Sequence, residues 1–396
     1  MHRKTEIAFI TKPKEEEKVT IPKPFKQGAD FEYLRKVLMR EVSQGPVPII
    51  ELVVDGDPMS EVTGLPTPFS SMLDMVDFVE GDGSINQDSI RKAVQAYDLS
   101  LAFSRAVGYD YVTIIPAVLI PRTKANISQA VPGQVKQRAW QNEHDGLIQD
   151  RAAFEAFPWP DSSGLGLVGI DYIAPQMPEG AKIMVFYMGI FEDLRALMGF
   201  EQMAIKSIRE PELIGDILEK LTVIAEGELD KIAAHPAVGA VFYAEDMGFN
   251  TGTMLSPAFF KEWVIPRQKR IADVVHKHNK PFLLHSCGQV DALMEDLIEV
   301  VKINGYHSFE DNIEPVEDFY NRYHDRISIL GGVDVNLLTH GSEEEVRARC
   351  RRILDACGPG GGFAIGSGNS ITNYCSIENY YTMLDETRRW NEEHGY

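Results

Sequence analysis

The chain has 396 residues, 44% of them hydrophobic, with 59 Asp and Glu against 39 Lys and Arg, for a formal net charge of −20. Such an acidic surface repels phosphate backbones and anionic lipid heads, which argues against nucleic-acid and membrane-surface partners and for simple solubility. The length allows two or three domains, but one barrel with insertions also reaches it.

Residues 1–27 read as an N-terminal arm. Their only apolar run is Ile7 to Ile10, far short of the roughly 7–15 residues of an export signal, and no stretch approaches the ~18–20 of a membrane span. A cytoplasmic location is therefore expected. The four cysteines, Cys287, Cys350, Cys357 and Cys375, lack the spacing of a disulfide scaffold.

From residue 28 onward, short apolar, β-branched runs alternate with helical patterns. The runs are 48–54, 111–115, 183–187, 240–244, 281–285, 305–308, 327–330 and 362–365. Between most of them apolar residues recur at i, i+3 and i+4, and Ser342-Glu343-Glu344-Glu345 reads as a capping box. Alternation of this kind implies a parallel sheet covered on both faces, and eight repeats fit a closed (β/α)8 TIM barrel occupying residues 28–396. The stretch from about 122 to 177 is rich in Pro, Gly, Gln and Asp, with few strand signals. It is expected to be an insertion over the barrel mouth, a lid or a partner-docking loop. Neither G-x-G-x-x-G after the first strand nor G-x-x-x-x-G-K-[ST] is present, so the two most diagnostic phosphate cradles are absent.

In such barrels the chemistry sits at the C-terminal ends of the strands. His285-x-Cys287 stands at one of these ends. Residues i and i+2 of a strand share a face, so both donors point to one place and form half of a zinc site. The alternative is a packed histidine beside an inert thiol. Glu245 and Asp246 follow the preceding strand. They read as metal ligands or proton-handling acids, or else as a helix cap and a solvated loop acid. Glu310 and Asp311 carry the same two readings. Asp334 follows Gly331-Gly332, which suits either close ligand approach or an Asx turn. Gly366-Ser367-Gly368-Asn369-Ser370 is either an anion-binding loop or a barrel-closing turn. Trp140 and Trp159 line an aromatic substrate or anchor the insertion.

Taken together, several segments resemble the uroporphyrinogen decarboxylase-like superfamily, in particular its corrinoid-dependent methyltransferase branch. They are Met188-Gly189, Leu197-Met198-Gly199-Phe200, Glu245-Asp246-Met247-Gly248, Met254-Leu255-Ser256-Pro257, Leu284-His285-Ser286-Cys287-Gly288, Leu330-Gly331-Gly332-Val333-Asp334, the 366–371 loop and Glu378-Asn379-Tyr380. The resemblance covers roughly residues 30–392. It implies a zinc-dependent enzyme that moves a methyl group between a small substrate and the cobalt of a separate corrinoid (cobalamin) protein. In coenzyme M-type members a second cysteine completes the metal site, but here Ser367 stands at that place. Glu310 is then the expected third ligand, with Glu245, Ser367 or Cys375 as alternatives. Glu245 or Asp246 is expected to orient the substrate or hand over a proton, while Asp334, Ser367 and Asn369 bind substrate. The Gly-Ser-Gly-Asn-Ser form of the loop is similar to first-step enzymes that demethylate methoxylated aromatics.

The Arg-rich N-terminal motif of true uroporphyrinogen decarboxylases is missing, and acids occupy the first-strand region instead. Two other readings remain at this stage. One is a decarboxylase or lyase on a smaller acid, drawing on Arg122, Arg195 or Arg267. The other is a non-catalytic corrinoid- or tetrapyrrole-binding module. A homodimer is compatible with all three.

Overall fold

The computed structural model describes residues 28–69, 87–116, 120, 126–127, 139–140, 146–160 and 166–396. Seven strands pair in chain order: β1 (Tyr111–Ile114), β2 (Lys182–Met188), β3 (Val238–Ala244), β4 (Phe282–His285), β5 (Gly305–His307), β6 (Ser328–Leu330) and β7 (Phe363–Ala364). Each neighbouring pair is parallel. The 48–54 segment supplies the eighth stave. Ile49 bridges Ile365 in parallel, Ile50 N donates to Ile365 O at 2.9 Å and Ile365 N donates to Pro48 O at 3.0 Å. On its other flank Glu51 N donates to the Tyr111 hydroxyl at 2.6 Å. The fold is the expected (β/α)8 barrel.

The strands are continuous apolar runs because both of their faces are covered. All seven residues of β3 are buried. Helices form the outer layer. In Pro211–Ala234, Leu213, Ile214, Ile217, Leu218, Leu221, Ala225, Leu229 and Ile232 make a buried stripe at i, i+3 and i+4 spacing. Pro211 opens that helix at a position where a missing N–H costs nothing. The capping box of Glu343–Cys357 forms as expected, with Ser342 N donating to the Glu345 carboxylate at 2.8 Å and Glu345 N donating to Ser342 Oγ. One buried core runs from Phe31 to Trp390.

Helix Phe31–Leu38 closes the N-terminal end of the barrel. Its Phe31 ring fills the space beside Gly239 at the start of β3, and Ser328 Oγ at the start of β6 donates to Val37 O at 2.8 Å. The C-terminal ends of the strands lie at the other end of the barrel.

Residues 1–27 lie outside the described residues, as does much of 122–177. Within the latter, Asn126–Ile127 pairs antiparallel with Ala139–Trp140, and Ile148 N donates to Leu197 O at 2.9 Å. Helix Gly166–Ile173 belongs to the outer layer: Gly169 packs on the Tyr97 ring, and the Tyr172 hydroxyl donates to Asp98 at 2.9 Å. The tail of the expected insertion is thus part of the barrel wall. No helix among the described residues is long and apolar enough to cross a membrane.

Candidate metal centre at the barrel mouth

Three donors converge at the C-terminal ends of β3 and β4. His285 is the last residue of β4, and Cys287 lies two residues on. His285 Nε2 stands 3.4 Å from Cys287 Sγ and 3.5 Å from Asp246 Oδ1. One ligand atom from each of Asp246, His285 and Cys287 lies within 4.8 Å of the others. Backbone bonds hold the two loops together: Glu245 N donates to His285 O at 2.9 Å, Gly248 N donates to Cys287 O at 3.2 Å, and Gln289 N donates to Phe249 O at 2.8 Å. Cys287 N donates to Asp246 Oδ1 at 2.9 Å, which aims the carboxylate at the cluster.

His285 is buried, and burial lowers its pKa against the opposing pull of Asp246, which favours the neutral imidazole that a metal ligand requires. Burial pushes the Cys287 thiol well up, and the neighbouring Asp246 charge adds to this. The amide of Asn369 partly offsets both by donating to Sγ at 3.2 Å.

Behind the cluster lies a second buried histidine. His307 ends β5 and pairs with His285 in the parallel ladder. The two Nδ1 atoms are 2.8 Å apart, and His307 Nε2 is 3.1 Å from Ser367 O. The ring edge packs on Phe242 at 5.5 Å between centroids. The sequence signal for His307 was available: two histidines end neighbouring staves of a parallel sheet. Glu51 is the other residue that sequence reasoning passed over. It is wholly buried, accepts from Ser367 N at 2.9 Å and from Ser367 Oγ at 2.5 Å, and burial pushes its pKa up to about 8 against those two bonds.

The expected site residues divide. His285 and Cys287 come together with Asp246, and Asn369, expected to bind substrate, stands against Cys287 Sγ. Glu245 leaves the opposite face of the chain. It is fully buried against the outer helices, where its Oε1 accepts from Phe191 N at 3.0 Å and from Gln268 Nε2 at 3.3 Å, and burial raises its pKa well above the usual carboxylate range. Glu310, expected as the third ligand, is not in the converging group. It lines a cleft beside the cluster, in which the carboxylate is that of Asp246. Asp334 caps helix Val335–His340: its two oxygens accept from Asn336 N at 2.7 Å and Asp311 N at 3.1 Å, which is the Asx-turn alternative. Ser367 turns its hydroxyl to Glu51, and only its carbonyl serves the centre. Cys375 is buried against Thr372 and Thr339, 3.3 and 3.8 Å from their hydroxyls. Of the arginines, Arg195 pairs with Glu192 at 2.6 Å, and Arg267 donates to the Trp263 and Gly215 carbonyls. Trp159 packs on Phe157 and donates to Phe154 O, an anchoring role.

The adjoining cleft runs between the loops after β4 and β5. Gly288, Gln289, Tyr306, Phe309, Glu310 and Phe319 line it, and among the described residues no Lys or Arg does. Tyr306 and Phe319 stack with centroids 5.0 Å apart. Burial raises the Glu310 pKa, with smaller contributions from Asp334 and Asp246.

The chain is thus a (β/α)8 barrel with a cluster of metal-compatible donors at the C-terminal ends of its strands. The uroporphyrinogen decarboxylase (URO-D) family model matches residues 87–390, and the chain belongs to that family. Among solved structures, a methyltransferase from Methanosarcina mazei is similar, at TM-score 0.68 and 17% identity, covering 93% of this chain and 100% of that one. A B12-independent methionine synthase from Shewanella sp. W3-18-1 is similar at TM-score 0.50 and 12% identity, covering 89% of this chain and 97% of that one. At these identities the likeness is one of fold. No curated protein matches the chain.

Proposed function

We propose that this chain is a zinc-dependent methyltransferase. It takes a methyl group from a small methylated donor, best described as a methoxylated aromatic, and passes it to the cobalt of a corrinoid held by a separate protein. The observation that carries this reading is the convergence of Asp246, His285 and Cys287 at the C-terminal ends of the barrel strands. One nitrogen, one sulfur and one oxygen donor suit zinc, and three protein ligands leave a fourth position for substrate, as in catalytic sites. The M. mazei neighbour, named as a methyltransferase, supports the same direction.

An aryl methyl ether is inert because its leaving group is a phenoxide, whose conjugate acid has a pKa of about 10. Zinc, when bound, supplies a Lewis acid for the developing phenoxide. The protein's own groups do the rest. Asn369 fixes the thiolate ligand and tempers its charge through the bond to Sγ. Tyr306, Phe309 and Phe319, themselves buried, form an aromatic floor under the cleft beside the cluster. Glu310 lines the same cleft, and its raised pKa supports a role in protonating the departing oxygen. The charged residues among the described lining of the cleft are the acids Asp291, Glu310 and Glu314, which disfavour a polycarboxylate substrate and so decarboxylation of the family's namesake type.

The test is elemental analysis of the purified chain beside Cys287→Ala. It is followed by incubation of the wild type with methoxyaromatics and a reduced corrinoid protein, read by the loss of cob(I)alamin absorbance. About one zinc per chain, lost in the variant, with methyl transfer in the wild type alone, is the expected result. Absence of zinc from both proteins after reductive preparation would sink the metal mechanism.

A further inference from the structure

We infer that His307 is a positioning residue that fixes His285 in the tautomer whose Nε2 lone pair faces the metal position. The inference rests on reading Asp246, His285 and Cys287 as a metal site.

A carbonyl oxygen only accepts hydrogen bonds, so the contact between His307 Nε2 and Ser367 O at 3.1 Å puts a hydrogen on His307 Nε2. His307 is fully buried, lies against the Phe242 ring and has no carboxylate among its hydrogen-bond partners, and the tautomer with its hydrogen on Nε2 leaves Nδ1 as an acceptor. That Nδ1 is 2.8 Å from the Nδ1 of His285, a distance at which two bare nitrogens repel, so His285 Nδ1 carries the hydrogen between them. A neutral His285 then has its free lone pair on Nε2, the atom 3.4 Å from Cys287 Sγ and 3.5 Å from Asp246 Oδ1. Polarity therefore runs one way, from the Ser367 carbonyl through two imidazoles to the cluster.

The arrangement is built by several elements. The β4–β5 register sets the two histidines side by side. Gly331, at the end of β6, has φ +88°, and a Cβ there would lie 2.4 Å from Ser367 O and 2.8 Å from the His307 ring. A side chain at 331 would thus push into the relay as well as strain the backbone. Partners that orient a ligating histidine through its second nitrogen are worth about 10–100-fold in metal affinity.

The experiment measures zinc affinity by chelator competition, and the absorption of the Co(II)-loaded protein, for wild type, His307→Asn and His307→Phe. In the Asn variant, Oδ1 stands where Nδ1 stood and still accepts from His285. The Phe variant keeps a ring and loses the acceptor. Affinity about 10–100-fold weaker in His307→Phe, largely rescued in His307→Asn, is expected, with the thiolate-to-cobalt band displaced only in the former. Equal affinity and an unchanged spectrum in His307→Phe would overturn the inference while leaving the metal site standing, as would equal loss in both variants. A wild type that binds neither zinc nor Co(II) would overturn the metal reading and this inference together. Should His307→Phe not fold, 15N-histidine spectra of the wild type decide: Nδ1–H on His285 and Nε2–H on His307 support the relay, and the reverse tautomers refute it.

Discussion

Gly189 and Glu245 contend for the same space: a Cβ on Gly189 would lie 1.4 Å from Glu245 Oε2 and 2.8 Å from Ala244 O. Gly189 sits at the N-terminus of helix Ile190–Met198, and Glu245 Oε1 accepts the helix's Phe191 N–H at 3.0 Å. The glycine admits the carboxyl that seals this helix against the end of β3. Overpacking at such a point costs roughly 1–3 kcal/mol. Gly189→Ala is expected to destabilise by at least that amount, and most of the penalty should vanish in a Glu245→Ala background. A denaturant-unfolding double-mutant cycle measures the coupling. Simple additivity of the two substitutions would show that the crowding is not what the glycine relieves.

Glu51 makes stability fall with rising pH. Its folded pKa of about 8 stands above the unfolded value of 4.5, so the folded chain holds a proton that the unfolded chain releases. Its stabilising contribution is complete below pH 4.5 and is lost as pH rises through 8. Glu51→Gln stays neutral throughout, keeping an acceptor for Ser367 N–H and a donor toward Ser367 Oγ. The variant should match wild type near pH 4.5 and gain on it steadily toward pH 9, by a margin on the order of a few kcal/mol. Melting curves across that range check this; parallel pH profiles for the two proteins would refute it.

The legibility of this chain was uneven, for physical reasons. Strand positions were readable because a stave covered on both faces leaves a continuous apolar run, and a helix covered on one face leaves a periodic one. His285 and Cys287 were readable because their spacing matches the strand repeat. The choice between Glu245 and Asp246 was not, since adjacent residues leave opposite faces and the facing depends on where β3 ends. Glu310 looked equivalent to Asp246 in sequence. The two differ because the loops after β3 and β4 are bonded backbone to backbone, carrying Asp246 to Cys287, whereas Glu310 sits in the wall of the next cleft. Ser367 misled because a hydroxyl in a glycine-rich loop says nothing of its direction. It was Glu51, on a distant segment, that claimed it.

That difference between two carboxylates gives a direct test. Asp246→Asn removes a charged donor that lies 3.5 Å from His285 Nε2, and zinc affinity should fall by 10-fold or more, about the scale of losing a ligand or its support. Glu310→Gln should retain zinc at wild-type stoichiometry while slowing transfer most for the poorest leaving groups. Zinc titrations on both variants separate the roles. Loss of zinc from Glu310→Gln with retention in Asp246→Asn would restore Glu310 as the ligand.

The cleft's own wall hangs on one buried cation. Arg349, on helix Glu343–Cys357, has only 6% of its side chain exposed. It donates to Asp311 at 2.9 and 2.6 Å and to Glu317 at 2.8 Å, while Asp311 N donates back to Asp334. Removing one partner of a buried pair costs about 3–5 kcal/mol, because the remaining charges stay desolvated without compensation. Asp311 keeps a third of its exposure, which places Arg349→Met toward the lower end. None of Arg349's hydrogen bonds reaches Asp246, His285 or Cys287, so zinc content should be unchanged in the folded variant. The loop from Phe309 to Glu314 should loosen, and KM for the aromatic donor should rise more than kcat falls. Thermal melts, zinc analysis and steady-state kinetics on Arg349→Met read these three quantities. A variant as stable as wild type would mean that the ion cluster is solvated and holds nothing, and loss of zinc would mean that the wall and the metal centre are one mechanical unit.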